Sequence, residues 1–217
     1  MNTKKGTLLW VDLEMTGLSP AKDRIVEVAA IVTGWDLEPI DTFTAVAKVD
    51  EELMKERMTG DFWERKSESR DALMKQNESG EPVEVVEKKM LDFLKKNCIN
   101  KGKIILAGNS IHQDRKFIDR EMPKVSKKLH YRMLDVSAWK VYFENALSLR
   151  FVKPENHRAL DDIMGSIEEL KYYRGFLNVD GTCGGFCGKS EGIPVEINLE
   201  IATGTTEESE VSEEEEE

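Results

Sequence analysis

Residues Leu8-Leu9-Trp10-Val11-Asp12-Leu13-Glu14 form an apolar, β-rich run that closes on two carboxylates. A strand of this kind belongs in a buried sheet. Its side chains alternate, so Asp12 and Glu14 share one face and Leu13 takes the other. Two carboxylates side by side repel, and burial makes ionisation harder still. A divalent cation keeps such a pair charged, and Mg²⁺ and Mn²⁺ prefer oxygen ligands of this type. The spacing alone also suits an ordinary solvated strand face. The turn-forming Thr16-Gly17-Leu18-Ser19-Pro20 that follows favours a site at the end of the strand.

Further along, Ile104-Ile105-Leu106-Ala107-Gly108-Asn109 reads as a short buried strand that ends in a turn. Ser110 suits the N-cap of the next helix, which would put Asp114 about one turn in. Asp114 then has two readings: an acid favoured by the helix dipole, or a catalytic group aimed at the strand tips. A third segment runs His157-Arg158-Ala159-Leu160-Asp161-Asp162. Behind it, Ile163, Ile167, Leu170 and Tyr173 recur at helical spacing. His157 falls at the helix entrance, after Pro154. Asp162 lies inside the helix, with Asp161 rotated about 100° away.

Together these segments resemble the oligoribonuclease family of 3′-to-5′ exonucleases. The stretches that carry the likeness are Trp10 to Leu18, Gly108 to Arg115, His130-Tyr131-Arg132-Met133-Leu134-Asp135-Val136-Ser137 and His157 to Asp162. The tail of the last helix, Ser166 to Arg174, is also similar to the family. The resemblance implies metal ligation by Asp12, Glu14, Asp114 and Asp162, with two divalent cations, Mg²⁺ or Mn²⁺. It implies that His157 is the general base and that Leu18 wedges between two bases. Ser110, Tyr131, Arg132 and Ser137 would bind the 5′-phosphate of a very short RNA. A homodimer is implied too, with Trp63 as the best match for an aromatic residue lent by the partner subunit.

Two departures stand out. The family's His-bearing stretch is replaced by Trp63-Glu64-Arg65-Lys66-Ser67-Glu68-Ser69-Arg70, where Lys66 or Arg65 could supply the positive charge. After Ser137 the chain reads Ala138-Trp139-Lys140-Val141 in place of the usual Lys-Glu. Arg132 suits a phosphate because its planar fork makes paired charge-assisted hydrogen bonds. An ion pair with Asp135 or Asp119 is the other use for it.

The pattern of three strands followed by alternating helices and strands predicts an α/β, ribonuclease-H-like fold. Its mixed central β-sheet would be flanked by helices. Strands are expected near 7–14, 24–34, 40–49, 103–107 and 131–135. The first three should form an antiparallel meander. Helices are expected near 51–66, 82–97, 114–121, 136–144 and 160–175. The exonuclease domain should occupy 1–178. An acidic extension at 179–217 has the composition of a disordered tail.

A net charge of −11 looks wrong for a nuclease. Its distribution resolves the difficulty. Beyond Lys189 there are 11 acids and no bases, which leaves 31 of each in residues 1–189. Arg115, Lys116, Arg120, Lys124, Lys127, Lys128 and Arg132 make a basic face that suits either RNA or plain solvation. No run of about 18 apolar residues exists, which predicts no membrane span. The short N-terminus before the first strand reads as a cytoplasmic protein. Three cysteines fit a reducing compartment, and the gap between Cys183 and Cys187 lacks the second ligand pair of a zinc site.

The leading expectation is therefore a metal-dependent exoribonuclease that degrades RNA of about two to five nucleotides to 5′-mononucleotides by two-metal-ion hydrolysis. The alternatives are a broader 3′-to-5′ exonuclease on longer RNA or DNA, and a non-catalytic RNA-binding protein.

Overall fold

The computed structural model describes residues 5–98, 104–152 and 159–177. These fall within one compact unit, Met1–Val179. The 179–217 extension, with Cys183 and Cys187, lies outside the described residues, and so does His157.

Five strands form one sheet: β1 (Leu8–Met15), β2 (Ile25–Thr33), β3 (Pro39–Val46), β4 (Ile104–Gly108) and β5 (Leu129–Asp135), in the order β3-β2-β1-β4-β5. The first three pair antiparallel, as the meander predicted, while β1–β4 and β4–β5 are parallel. Helices α1 (Glu51–Arg57), α2 (Asp61–Arg65), α3 (Ser67–Gln76), α4 (Val83–Asn97), α5 (His112–Glu121), α6 (Pro123–Ser126), α7 (Val136–Leu147) and α8 (Ala159–Gly175) surround it. This is the mixed, helix-flanked sheet of a ribonuclease-H-like fold.

Alternation along β1 divides the core. Leu9, Val11 and Leu13 pack with Val86, Met90, Leu94, Phe117 and Ile118 of α4 and α5. Leu8 and Trp10 pack on the other face with Phe143 of α7 and Ile163, Ile167 and Tyr173 of α8. Trp10 is fully buried, and its Nε1 donates to Thr33 Oγ1 at 2.9 Å, so its polar end is satisfied. Period two puts Asp12 and Glu14 on the face that α8 covers. A third cluster joins Val26 to Met54, Met58, Trp63 and Leu73 under α1, α2 and α3.

The helix expected over 51–66 is broken. α1 ends at Arg57, and Gly60 adopts φ +86 before α2 begins. That left-handed conformation suits glycine and stops a helix. α3 and α6 were not anticipated. Ser110 is not an N-cap: its φ is +48, α5 starts at His112, and the cap position is Ile111. The Ser110 N–H instead donates to Asp135 Oδ1 (3.0 Å) and Ser137 Oγ (2.8 Å).

Candidate active site

Asp12, Glu14, Asp114, Ser110 and Ser137 lie at or just beyond the C-terminal ends of the parallel strands β1, β4 and β5, where loops leave such sheets and sites form. A close crossing shapes this edge. A Cβ on Gly108 would meet the Val11 carbonyl oxygen at 2.9 Å, so β4 can bring its tip against β1 only with glycine there.

Asp114 is buried in the first turn of α5, and its Oδ1 accepts the Leu13 N–H at 3.0 Å. That bond locks the α5 N-terminus to the end of β1. Burial pushes the Asp114 carboxyl up to about 7 against the pull of the Leu13 N–H, with Glu14 and Asp135 adding repulsion. Burial also raises Glu14 to about 7. Glu27 and Asp162 repel it further, and Lys66 acts the other way. Glu14 and Glu27 are directly opposed across the β1–β2 ladder, an unfavourable like-charge pairing.

Glu14, Asp114 and Asp162 are thus electrostatic neighbours drawn from β1, α5 and α8. Asp12 is half-buried two residues before Glu14 on the same strand. An all-oxygen set with two carboxyls driven towards neutrality fits divalent cations, which would restore the charged forms. The side chains are not drawn into a closed cage. Among the described residues no three Asp, Glu, His or Cys groups meet closely enough to hold an ion as they stand.

A second group lies around the tip of β5. Asp135 caps α7, its Oδ1 accepting the Ser137 N–H at 2.9 Å as well as that of Ser110. The hydroxyls of Ser110 and Ser137 are 3.2 Å apart. Tyr131 is 70% exposed, stacked on His130 with 4.5 Å between centroids, while the Arg132 guanidinium sits 5.3 Å from the tyrosine ring. Arg132 takes neither of the ion pairs considered for it. Asp119 pairs with Arg115 instead, and Asp135 serves the α7 cap.

Leu18 is 69% exposed on the turn after β1. Trp63 is buried with Met54, Met58 and Leu73, whereas its neighbour Phe62 is 55% exposed. Phe62, Arg65 and Lys66 line a cleft of about 500 Å³.

Several residues of this region escaped the sequence. Asn109 Nδ2 donates to Ser166 Oγ (2.9 Å) and Glu169 Oε2 (3.1 Å), and its Oδ1 accepts from Ser137 Oγ (3.3 Å). The buried Glu169 also accepts from Tyr173 Oη at 3.1 Å. One signal could have found Glu169: a charged residue beside Ser166, Leu170 and Tyr173 on the apolar stripe of α8.

An exonuclease family model matches residues 9–170. An oligoribonuclease of Neisseria meningitidis is 39% identical over 174 residues, which is 78% of this chain and 91% of the relative. One from Legionella pneumophila is 40% identical over 177 residues, covering 79% and 93%. The chain belongs to the oligoribonuclease family. A probable oligoribonuclease of Schizosaccharomyces pombe is 38% identical over 180 residues, covering 81% of this chain and 70% of that one.

Among solved structures, exonuclease I from Methylocaldum szegediense matches with a TM-score of 0.56 at 14% identity, over 78% of this chain. This chain spans 40% of that structure's length, and the likeness is one of fold. A product-bound exonuclease I gives a TM-score of 0.54 at 13% identity, covering 79% of this chain and 44% of the other.

Proposed function

We propose that the protein is a 3′-to-5′ exoribonuclease that degrades RNA of about two to five nucleotides to 5′-mononucleotides by metal-assisted hydrolysis. The observation that carries this reading is the gathering of the buried carboxyls of Glu14 and Asp114, with Asp162 close enough to repel Glu14, at the end of β1 that leads into the exposed Leu18 turn.

Asp12, Glu14, Asp114 and Asp162 would hold two divalent cations, Mg²⁺ or Mn²⁺. Such a pair, when bound, supplies an acidified water and stabilises the leaving 3′-oxygen. His157 would accept the proton of the attacking water, a task its ordinary pKa suits. Leu18 would separate the two bases. Ser110, Ser137, Tyr131 and Arg132 would grip the 5′-phosphate, Arg132 through its planar fork. The Tyr131–Arg132 stack and the Asp135 brace hold that grip in shape before substrate arrives.

We take the active form to be a cytoplasmic homodimer. With Trp63 committed to its own core, Phe62 is the aromatic residue of this segment available to a partner subunit. The elution volume on gel filtration checks the dimer. Among the described residues no helix is long and apolar enough to cross a membrane.

The test is a time course on 5′-labelled RNAs of two, three, five and ten nucleotides, with Mg²⁺, Mn²⁺ or chelator. Fast metal-dependent loss of the dinucleotide and slow attack on the ten-mer is the result expected. Equal rates at every length would indicate a broader exonuclease. No cleavage with either metal would indicate an RNA-binding protein.

A further inference from the structure

The turn that carries Leu18 is wrapped around a buried charge. Asp23 is fully buried, and its carboxylate accepts from Thr16 Oγ1 (3.2 Å), the Ser19 N–H (2.8 Å), Arg57 Nε (2.7 Å) and Arg57 Nη2 (3.3 Å). The turn closes on itself through Asp23 N–H to Ser19 O at 2.7 Å and Arg24 N–H to Thr16 Oγ1 at 3.1 Å. It wraps so tightly that a Cβ on Gly17 would lie 2.6 Å from Asp23 Oδ2. Arg57 reaches in from the last turn of α1, 34 residues away. On the other side, Gln113 Nε2 of α5 approaches the Leu18 carbonyl at 3.4 Å.

We infer that the Asp23–Arg57 pair is a specificity device that holds the Leu18 turn ready and thereby sets the preference for the shortest RNA. The inference rests on the wedge role proposed for Leu18. A large apolar side chain exposed on a turn gains nothing from its own fold, since the hydrophobic benefit comes only with burial. Fixing it in place beforehand removes the ordering cost of the bound state. A leucine inserted between two bases matters most where two bases are the whole substrate. A ten-mer keeps other contacts with the protein.

Two separate contacts, the Arg57 fork on Asp23 and the Gln113 amide on the Leu18 carbonyl, tie two helices to one turn. Arg57 belongs to α1, which leads through Gly60 to the Phe62–Lys66 cleft, and Gln113 belongs to the helix of Asp114. The brace therefore fixes Leu18 relative to both. Asp23 and Arg57 are positioning residues, since neither is placed against substrate.

The experiment measures kcat and KM on a dinucleotide and a ten-mer for the native enzyme, Arg57→Met, Arg57→Lys, Leu18→Ala and the double variant Leu18→Ala/Arg57→Met. Arg57→Met should raise KM for the dinucleotide on the order of tenfold with kcat little changed, the signature of lost binding, and leave the ten-mer nearly unaffected. Arg57→Lys, which keeps the charge and loses the fork, should fall between. It carries the same test if Arg57→Met does not fold. In the Leu18→Ala background Arg57→Met should add nothing, because its effect runs through Leu18.

Equal losses on both substrates, or a loss that persists without Leu18, would overturn the inference and leave Arg57 a purely structural residue. If Leu18→Ala itself leaves the dinucleotide preference intact, the wedge reading fails and takes the inference with it. That outcome is separate from a failure of the brace alone.

Discussion

Asn109 donates to Glu169 at 3.1 Å, tying the tip of β4 to the middle of α8 across 60 residues. The same amide accepts from Ser137, and Ser166 Oγ donates to the backbone carbonyl of Asp162 at 2.9 Å. The proposed 5′-phosphate grip and the helix of a proposed metal ligand are thus joined through one side chain. Asn109→Ala should lower stability by about 1–3 kcal/mol, the usual cost of removing a partner from buried polar groups. Urea unfolding measures this, and an unchanged midpoint would mean that water replaces the amide.

His157→Ala should reduce turnover about 10²-fold or more, in line with a lost general base. Asp12→Ala should abolish cleavage while circular dichroism and the melting temperature stay near native. Native-like turnover in the first variant removes His157 from the mechanism. Metal-dependent cleavage by the second removes Asp12 from the ligand set.

The acid limb of stability should depend on Asp23. Burial alone would raise its pKa, yet Arg57, the Ser19 N–H and the Thr16 hydroxyl together hold it below the usual value. A depressed folded pKa means the unfolded chain binds the proton more readily. The contribution is therefore present above the unfolded value of about 3.9 and is lost as pH falls through the lower folded value. Urea midpoints taken from about pH 6 down to about pH 2 should show native protein and Arg57→Met converging. A constant gap across that range would mean the pair's stability is not linked to Asp23 protonation.

Cys98 should resist alkylation in the native protein. Burial pushes its thiol up to about 11, with nearby Lys5 opposing only in part. At pH 8 the reactive thiolate is then about one part in a thousand. Mass mapping after iodoacetamide treatment should find Cys98 unmodified in buffer and modified in urea. Rapid labelling in buffer would place the thiol in a more open setting.

Legibility followed the range of the forces involved. The β1–β2–β3 meander was readable because alternation is a local signal, and it survives intact in the pairing of Leu8 with Thr33 and Glu27 with Val46. The helix over 51–66 failed at Met58 to Gly60, since helical composition continues through a break set by one backbone angle. Ser110 has the right side chain for a cap, but the pull of Asp135 and Ser137 on its N–H comes from residues more than 20 positions away. Trp63 was matched through the resemblance to the family, and such a match does not show that its side chain packs beside Met54 and Met58. Motif context named Glu14, Asp114 and Asp162, and the fold makes Glu14 an electrostatic neighbour of the other two. Asp23, Arg57, Asn109 and Glu169 were not legible, because each is defined by a partner distant in sequence or hidden in an ordinary charged helix.

β1 supplies the first carboxylates and α8 the last, and α8 packs directly on β1 and β2. Contacts so far apart along the chain close late in folding. During synthesis, the stretch from β1 through α7 can leave the ribosome with its sheet largely assembled and still lack Asp162. With Asp162 as a proposed ligand, such a nascent chain, held within reach of messenger RNA, would stay inert until its final helix docks.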